Sequence, residues 1–298
     1  MDALGDLLRG VRADGALFGR TVLNGPWEVV RAEGAALTLI TVMRGTALIT
    51  AASGEPEILE EGGAAVVCTT APFTLSAPSA AESGASAAEP AAECELITGA
   101  YQLDGAVGRR LISMLPPLLV VPSSEDCTPI LELIASEVAA DRPGRQYVMD
   151  RMLDWMLACT LRDWFELPDA CPPDWYIALG DEVVGPALHA MHDEPSRPWT
   201  VASLAARAQV SRALFARNFA ELVGRPPMAY LTEWRMTLAA ELLAEPGATV
   251  AAVAGQVGYA DGFGFSDAFK RIRGIAPSGY RASLGTRRPA SGPLRAAG

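Results

Sequence analysis

The chain has 298 residues, half of them apolar, and a formal net charge of −11, which is length and apolar content for two packed domains. Five widely spaced cysteines (Cys68, Cys94, Cys127, Cys159 and Cys171) with no CxxC argue against a zinc ribbon or a disulfide framework. No run of about 18 apolar residues marks a membrane span, and the opening MDALGDLLRGVRADGALFGR carries acids where a signal peptide has a basic head, so a soluble cytoplasmic protein is expected.

In chain order, the first predicted elements are strands. WEVVRA, LTLITVM, TALITAA, AAVVCT and APFTLSA, between residues 27 and 77, are short, rich in Val, Ile, Thr and Leu, and parted by turn signals such as SGEPE and EGG. This spacing predicts a small antiparallel barrel or sandwich. SAAESGASAAEPAAE (79–93) reads as a mobile loop before a last strand, CELITGAYQL. Helices follow: AVGRRLISML, stopped by Pro116 and Pro117, then TPILELIASEVAAD and RQYVMDRMLDWMLACTLRDWFE. In the last, Val148, Met152, Trp155, Met156 and Cys159 form one apolar stripe, to be packed on the barrel or paired with a second copy. LPDACPPDW reads as a linker. His189 and His192 stand three apart in a predicted helix with no further ligands nearby, so they are expected to face solvent rather than a metal.

From residue 200 the chain repeats itself at an offset of 50. Phe215, Phe219 and Leu222 match Phe265, Phe269 and Ile272, each trio on one helical face, while Gly224, Pro227 and Tyr230 match Gly274, Pro277 and Tyr280. Such agreement in core and turn positions indicates two copies of one supersecondary unit. Each has the plan of a helix-turn-helix: VASLAARA, a turn at Gln209 and Val210, and SRALFARNFAELVG capped by Ser211; then VAAVAGQVGY leading through Gly258 into GFGFSDAFKRIRG. PMAYLTEWRMTLAAELLAEPG is predicted as the long helix between them, setting two recognition helices about 34 Å apart for successive major grooves. Charge agrees. Residues 1–195 carry 11 Arg against 29 Asp and Glu, a balance of −18, whereas residues 196–298 carry 13 Lys and Arg against 6 acids, a balance of +7. The carboxy-terminal third is therefore suited to a polyanion.

On these residues, 180–284 resembles the DNA-binding domain of the AraC/XylS family of transcription regulators: PWTVASLAARAQVSRALFARNFAELVGRPPMAYLTEWRMTLAAELL matches the first half and VAAVAGQVGYADGFGFSDAFKRIRGIAPSGYR the second. Residues 1 to about 170 resemble, more loosely, the cupin-like effector domain and helical dimerisation segment of one branch of that family. The resemblance implies an α+β chain, with a cupin-like β-barrel over 1–122, a helical dimerisation segment and linker over 123–175, an all-α domain with two helix-turn-helix motifs over 176–285 and a disordered tail over 286–298. It implies a sequence-specific transcription regulator, an activator, that is not an enzyme and needs no cofactor. Its implied partners are double-stranded DNA, a small-molecule effector, a second copy held through helices 128–166, and RNA polymerase, with no membrane.

Side-chain chemistry then assigns roles. With Phe215, Phe219 and Leu222 inward, Ser211, Arg212, Ala213, Ala216 and Arg217 project from the first recognition helix. Arg217 can fork onto guanine O6 and N7 or hold a phosphate, and alanine can touch a thymine methyl. On the second helix Phe263, Ser266 and Asp267 are candidate contacts. Asp267 occupies the place of Arg217 and can at best accept from cytosine N4, so weak reading is expected there. Lys270, the only lysine of the chain, is expected with Arg271 and Arg273 to clamp phosphates. Gln209 holds a turn position where relatives have glycine, and Ala220 one where a cation is frequent. In the amino-terminal half Trp27, Ile40, Val42, Cys68, Phe73 and Tyr101 are candidate linings for an apolar or aromatic effector, or plain core. No histidine precedes His189, and Ile40 and Phe73 stand where some relatives have histidine, which argues against a metal site and against a cupin enzyme. Redox sensing through Cys68 and Cys94 is the alternative, against which acidic surroundings weigh by keeping a thiol protonated.

Overall fold

The computed structural model describes residues 3–8, 10–13, 19–31, 35–51, 54–79, 93–103, 105–123, 128–140, 142–168, 170 and 172–285. Most of the predicted loop 79–93, the tail 286–298, Cys127 and Cys171 lie outside these residues. Two compact units are present, the first built on Leu4–Asp104 and Gly108–Tyr176, the second on the chain from Ile177 onward together with Gly105–Val107.

After a short helix α1 (Ala3–Leu8), the first unit runs β1 (Val11–Ala13), β2 (Gly19–Leu23), β3 (Glu28–Arg31), β4 (Leu37–Arg44), β5 (Ala47–Ala51), β6 (Glu57–Leu59), β7 (Ala64–Val67), β8 (Phe73–Ser76) and β9 (Cys94–Leu103). Helix α2 (Gly105–Ile112) and strand β10 (Leu118–Val121) follow. All pairings are antiparallel. One sheet has the order β1-β9-β4-β7-β10, with β2 also on β9, and the other β3-β8-β5-β6. Because side chains alternate across a strand, Ile40 and Val42 of β4, Ala65 and Val67 of β7, and Cys94 and Leu96 of β9 face a common core with Ile49, Leu59, Phe73 and Leu75 of the second sheet. This β-rich unit is the predicted barrel or sandwich.

Four strands are absent from the sequence expectations. Strands β1, β2, β6 and β10 have only three to five residues each, and no run bounded by turn signals on both sides marks them out. The apolar run of β10 follows Pro117, whose carbonyl accepts from the Cys68 N–H at 2.8 Å, so the two prolines lead into a strand on β7. That helix stops three residues short of the predicted Leu115.

Helices α3 (Thr128–Ala140) and α4 (Arg145–Glu166) complete the unit. Helix α4 packs on the face of β9 turned away from the shared core. Tyr101 donates its hydroxyl to the Leu153 carbonyl at 2.6 Å, the Ala13 N–H donates to Asp154 Oδ1 at 2.8 Å, and Gly99 leaves room for Leu153, whose methyls would stand 3.0 Å from any Cβ there. Partial burial pushes the Asp154 carboxyl above its usual value, against the opposing effects of the Ala13 N–H and Arg151. The expected single stripe of α4 is corrected. Met149, Leu153, Met156, Leu157, Thr160 and Trp164 are the inward row, and Cys159 is also buried, whereas Val148 and Trp155 face outward, Trp155 being 54% exposed. Apolar residues occupy two adjacent rows of this helix, and spacing alone merges them.

A short helix α5 (Asp174–Leu179) follows. In the second unit α6 (Gly185–Asp193), α7 (Val201–Arg207), α8 (Arg212–Val223) and the first part of α9 (Pro227–Leu242) enclose Phe215, Phe219, Tyr230 and Trp234, while α10 (Val250–Gln256), α11 (Gly262–Arg273) and α12 (Pro277–Gly285) enclose Phe265, Phe269 and Tyr280. The repeat is visible in ring geometry: Phe215–Phe219 and Phe265–Phe269 centroids lie 5.6 and 5.7 Å apart. Gly224 (φ 71) and Gly274 (φ 74) end α8 and α11 in the left-handed conformation, and a proline opens the next helix each time. His192 departs from expectation. It is buried, its Nε2 is 2.8 Å from the Tyr230 hydroxyl, and its ring lies against Trp234, so a partner on α9 satisfies it in place of water.

Candidate nucleic-acid interface

Each helix-turn-helix is defined by its caps. Thr200 accepts from the Ser203 N–H and donates its own N–H to Ser203 Oγ, a capping box that starts α7; Thr249 accepts from the Ala252 N–H at the start of α10. Gln209 (φ 56) and Gly258 (φ 84) turn the chain, and Ser211 and Asp261 cap the second helices by accepting from Leu214 and from Phe263 and Gly264. The copies are not in one register. Thr200 and Thr249, like Gln209 and Gly258, are 49 apart, but Ser211 and Asp261 are 50 apart. One residue, Val210, separates turn from cap in the first copy; two, Tyr259 and Ala260, do so in the second.

On α8, Phe215, Phe219 and Val223 are buried, and Ser211, Arg212, Ala213 and Arg217 are exposed, with Ala216 partly so. The structure thus brings the five predicted residues to the solvent side of this helix. Arg217 lies 3.9 Å from Glu221 in an exposed i,i+4 pair, which contributes little and leaves the guanidinium free to be taken over by a stronger acceptor. On α11, Phe263, Asp267, Lys270 and Arg271 are exposed and Ser266 is half-buried, its hydroxyl donating back to the Gly262 carbonyl at 2.6 Å.

Arg273 is a correction to the expected phosphate clamp. Its Nη donates to Thr237 Oγ1 at 3.1 Å and to the Met236 carbonyl at 3.3 Å, so the guanidinium is turned onto α9 and joins helices instead of extending with Lys270 and Arg271. Arg235, which the sequence reading passes over, has the corresponding role for the segment before α7: it donates to the Pro195 and Arg197 carbonyls. Gly258 packs beside this junction, where a Cβ would stand 2.3 Å from the Ser196 carbonyl oxygen, so the residue is held to glycine by both conformation and contact. Arg235 is the one arginine of α9, set between Trp234 and Met236, and that is the sequence signal that marks it.

Of the six candidate effector residues, Ile40, Val42 and Phe73 lie in the core between the sheets and Trp27 packs against it. The Trp27 Nε1 is buried without a hydrogen-bond partner among the described residues. Cys68 is buried at the end of β7, outside that cluster, and Tyr101 faces α4 instead, because it belongs to the alternate row of β9. Burial pushes the Cys68 thiol up to about 12 and the Cys94 thiol up to about 11, and both are free thiols. No cluster of three or more His, Cys, Asp or Glu suited to a metal occurs among the described residues, and none of their helices is long and apolar enough to cross a membrane.

Known proteins match along the same division. The family described as Cupin matches residues 2–166, and that described as Helix-turn-helix domain matches residues 204–283. An AraC-like transcription regulator of Streptomyces antibioticus is 33% identical, the match covering 94% of this chain and 98% of that one. The HTH-type transcriptional regulator AlkR of Acinetobacter baylyi is 32% identical over 62% of each chain. Among solved structures, the DNA-binding domain of AdpA in complex with a target DNA matches 38% of this chain and 100% of its own, at 32% identity and a TM-score of 0.35.

Proposed function

Because the chain belongs to the AraC-like transcription regulators and is a DNA-binding regulator, we propose that α8 supplies most of its sequence reading while α11 adds attachment to the phosphate backbone. The observation that carries this is the solvent side of α8, where Arg212 and Arg217 flank small residues: a fork able to take guanine O6 and N7, on a surface that permits close approach. On α11 the acid Asp267 replaces the cation, and Lys270 and Arg271 stand on the following turns. Selection of duplexes from a random pool by the full chain tests the division. Arg217→Ala should weaken the selected site by about 1–3 kcal/mol and relax one base pair; an unchanged preference would remove Arg217 from the reading surface.

For the amino-terminal unit the reading is reception of an apolar or aromatic effector, leading to activation of transcription with RNA polymerase in the compartment that holds the DNA. The buried Trp27 N–H supports it, since an unpaired donor beside an apolar core is a place for an acceptor-bearing ligand. Pairing of two copies through 128–166 is supported by the outward row of α4, Val148 and Trp155 two turns apart, with exposed Tyr147 beside them. Redox sensing is disfavoured, because thiols held this far above neutrality are poor nucleophiles toward oxidants.

A further inference from the structure

We propose that Phe263 is the base-reading contact of the second unit and that it selects thymine, packing its ring on the C5-methyl group in the major groove. The inference rests on the DNA-facing roles given above to α8 and α11, and deepens them.

The ring is 88% exposed, the most exposed large apolar side chain among the described residues, whereas the four helix phenylalanines of the duplicated core are fully buried. Its neighbours keep it clear. A Cβ at Gly262 would meet nothing within 4 Å, and one at Gly264 only the capping Asp261 carboxylate at 3.7 Å. That carboxylate already accepts from the Phe263 and Gly264 N–H groups at 2.8 Å each, so the start of α11 has lost the donors and the positive end that would hold a phosphate. What the first turn offers is apolar.

Helical spacing puts Phe263, Ser266, Asp267 and Lys270 on one side of α11, opposite Phe265, Phe269 and Ile272. The Ser266 hydroxyl donates its one proton to the Gly262 carbonyl, Asp267 repels phosphate, and Lys270 can lower the helix onto the backbone. Phe263 is left as the group whose approach to a base edge is favourable. Thymine alone presents a methyl group in the major groove, and an aromatic ring is a suitable partner for it. The matching position of the first copy is Ala213, so the two copies read through different chemistry.

The test uses the full chain and its selected duplex. Each thymine in the half-site is replaced in turn by deoxyuridine, which removes only the methyl, and dissociation constants are measured for the wild type, Phe263→Ala and Phe263→Leu. One replacement should weaken wild-type binding about 4-fold, the worth of one buried methyl. Phe263→Ala should bind the unmodified duplex correspondingly less tightly and be indifferent to that replacement, while Phe263→Leu should stay sensitive. The ring is outside the core, so unchanged thermal melting should accompany both variants. Wild-type indifference to every replacement, or undiminished sensitivity in Phe263→Ala, overturns the proposal. Full DNA binding by Phe263→Ala with loss of transcription alone would make the ring a protein contact and overturns it too. A wild-type chain that selects no sequence overturns the roles of α8 and α11 together, a result distinct from selection that tolerates Phe263→Ala.

Discussion

Arg235 Nε donates to the carbonyl oxygen of Pro195 at 2.6 Å, tying the middle of α9 to the segment that leads into α7, and the same guanidinium reaches the Arg197 carbonyl at 2.7 Å. Gly258 closes on Ser196 at the same place. Arg235→Ala should therefore cost the second unit about 3 kcal/mol, since two carbonyls lose charged donors. Arg235→Lys should recover little, because an ammonium cannot reproduce the planar fork. Urea midpoints of the three proteins check both.

Lys270→Ala should lower affinity for all duplexes alike and reduce the slope of log affinity against log salt by about 0.9. Arg273→Ala, despite removing the same charge three residues on, should chiefly lower the melting temperature, because its guanidinium holds α9 through Thr237. Salt titrations beside thermal melts separate the two.

Gln209→Gly should stabilise the protein by about 1 kcal/mol. The left-handed backbone at φ 56 costs a residue with a Cβ more than glycine loses in chain freedom. Chemical denaturation measures this, and affinity for DNA should not change.

Cys68 and Cys94 should resist alkylation in the native protein at pH 7–8 and react once it is unfolded, since the thiolate is the reactive form. Their folded values, about 12 and about 11, lie above the ordinary 9.0. The associated stability is complete below 9.0 and is lost as pH rises through 11 and 12, because the unfolded thiols ionise first. Mass spectrometry after timed iodoacetamide exposure, and melts at rising pH, test the two halves of this statement.

Trp155→Glu should shift the chain toward its monomer mass of 31.3 kDa in analytical ultracentrifugation. The indole is exposed on α4, so the fold should survive the charge, and a stable dimer in the variant would move the pairing surface elsewhere.

The duplicated unit is legible in sequence because its signals are local: aromatic pairs four apart, a glycine after the helix and a proline opening the next. Its fastening is not. Arg235 and Arg273 bond to groups 36–40 residues away, and His192 finds Tyr230 at a separation of 38, distances at which nothing in the sequence selects a partner. In the first unit the long strand β9 is legible to its ends, whereas β1 and β2 exist by pairing with it and carry almost no pattern of their own. The candidate effector residues divide for a related reason. Tyr101 and Leu96 differ by an odd number of positions and so lie on opposite faces of β9, an alternation that apolar residues on both faces conceal.

The additional residue between turn and cap in the second copy limits how the two halves could be exchanged. A chimera joined within α7 and α10 would bring its partner's turn with it, one residue longer or shorter than the host's, whereas a junction placed after Ser211 and Asp261 would leave each copy's own turn in place. Transplanting specificity between the copies is therefore a question of where the cut is made, and the caps are the natural seam.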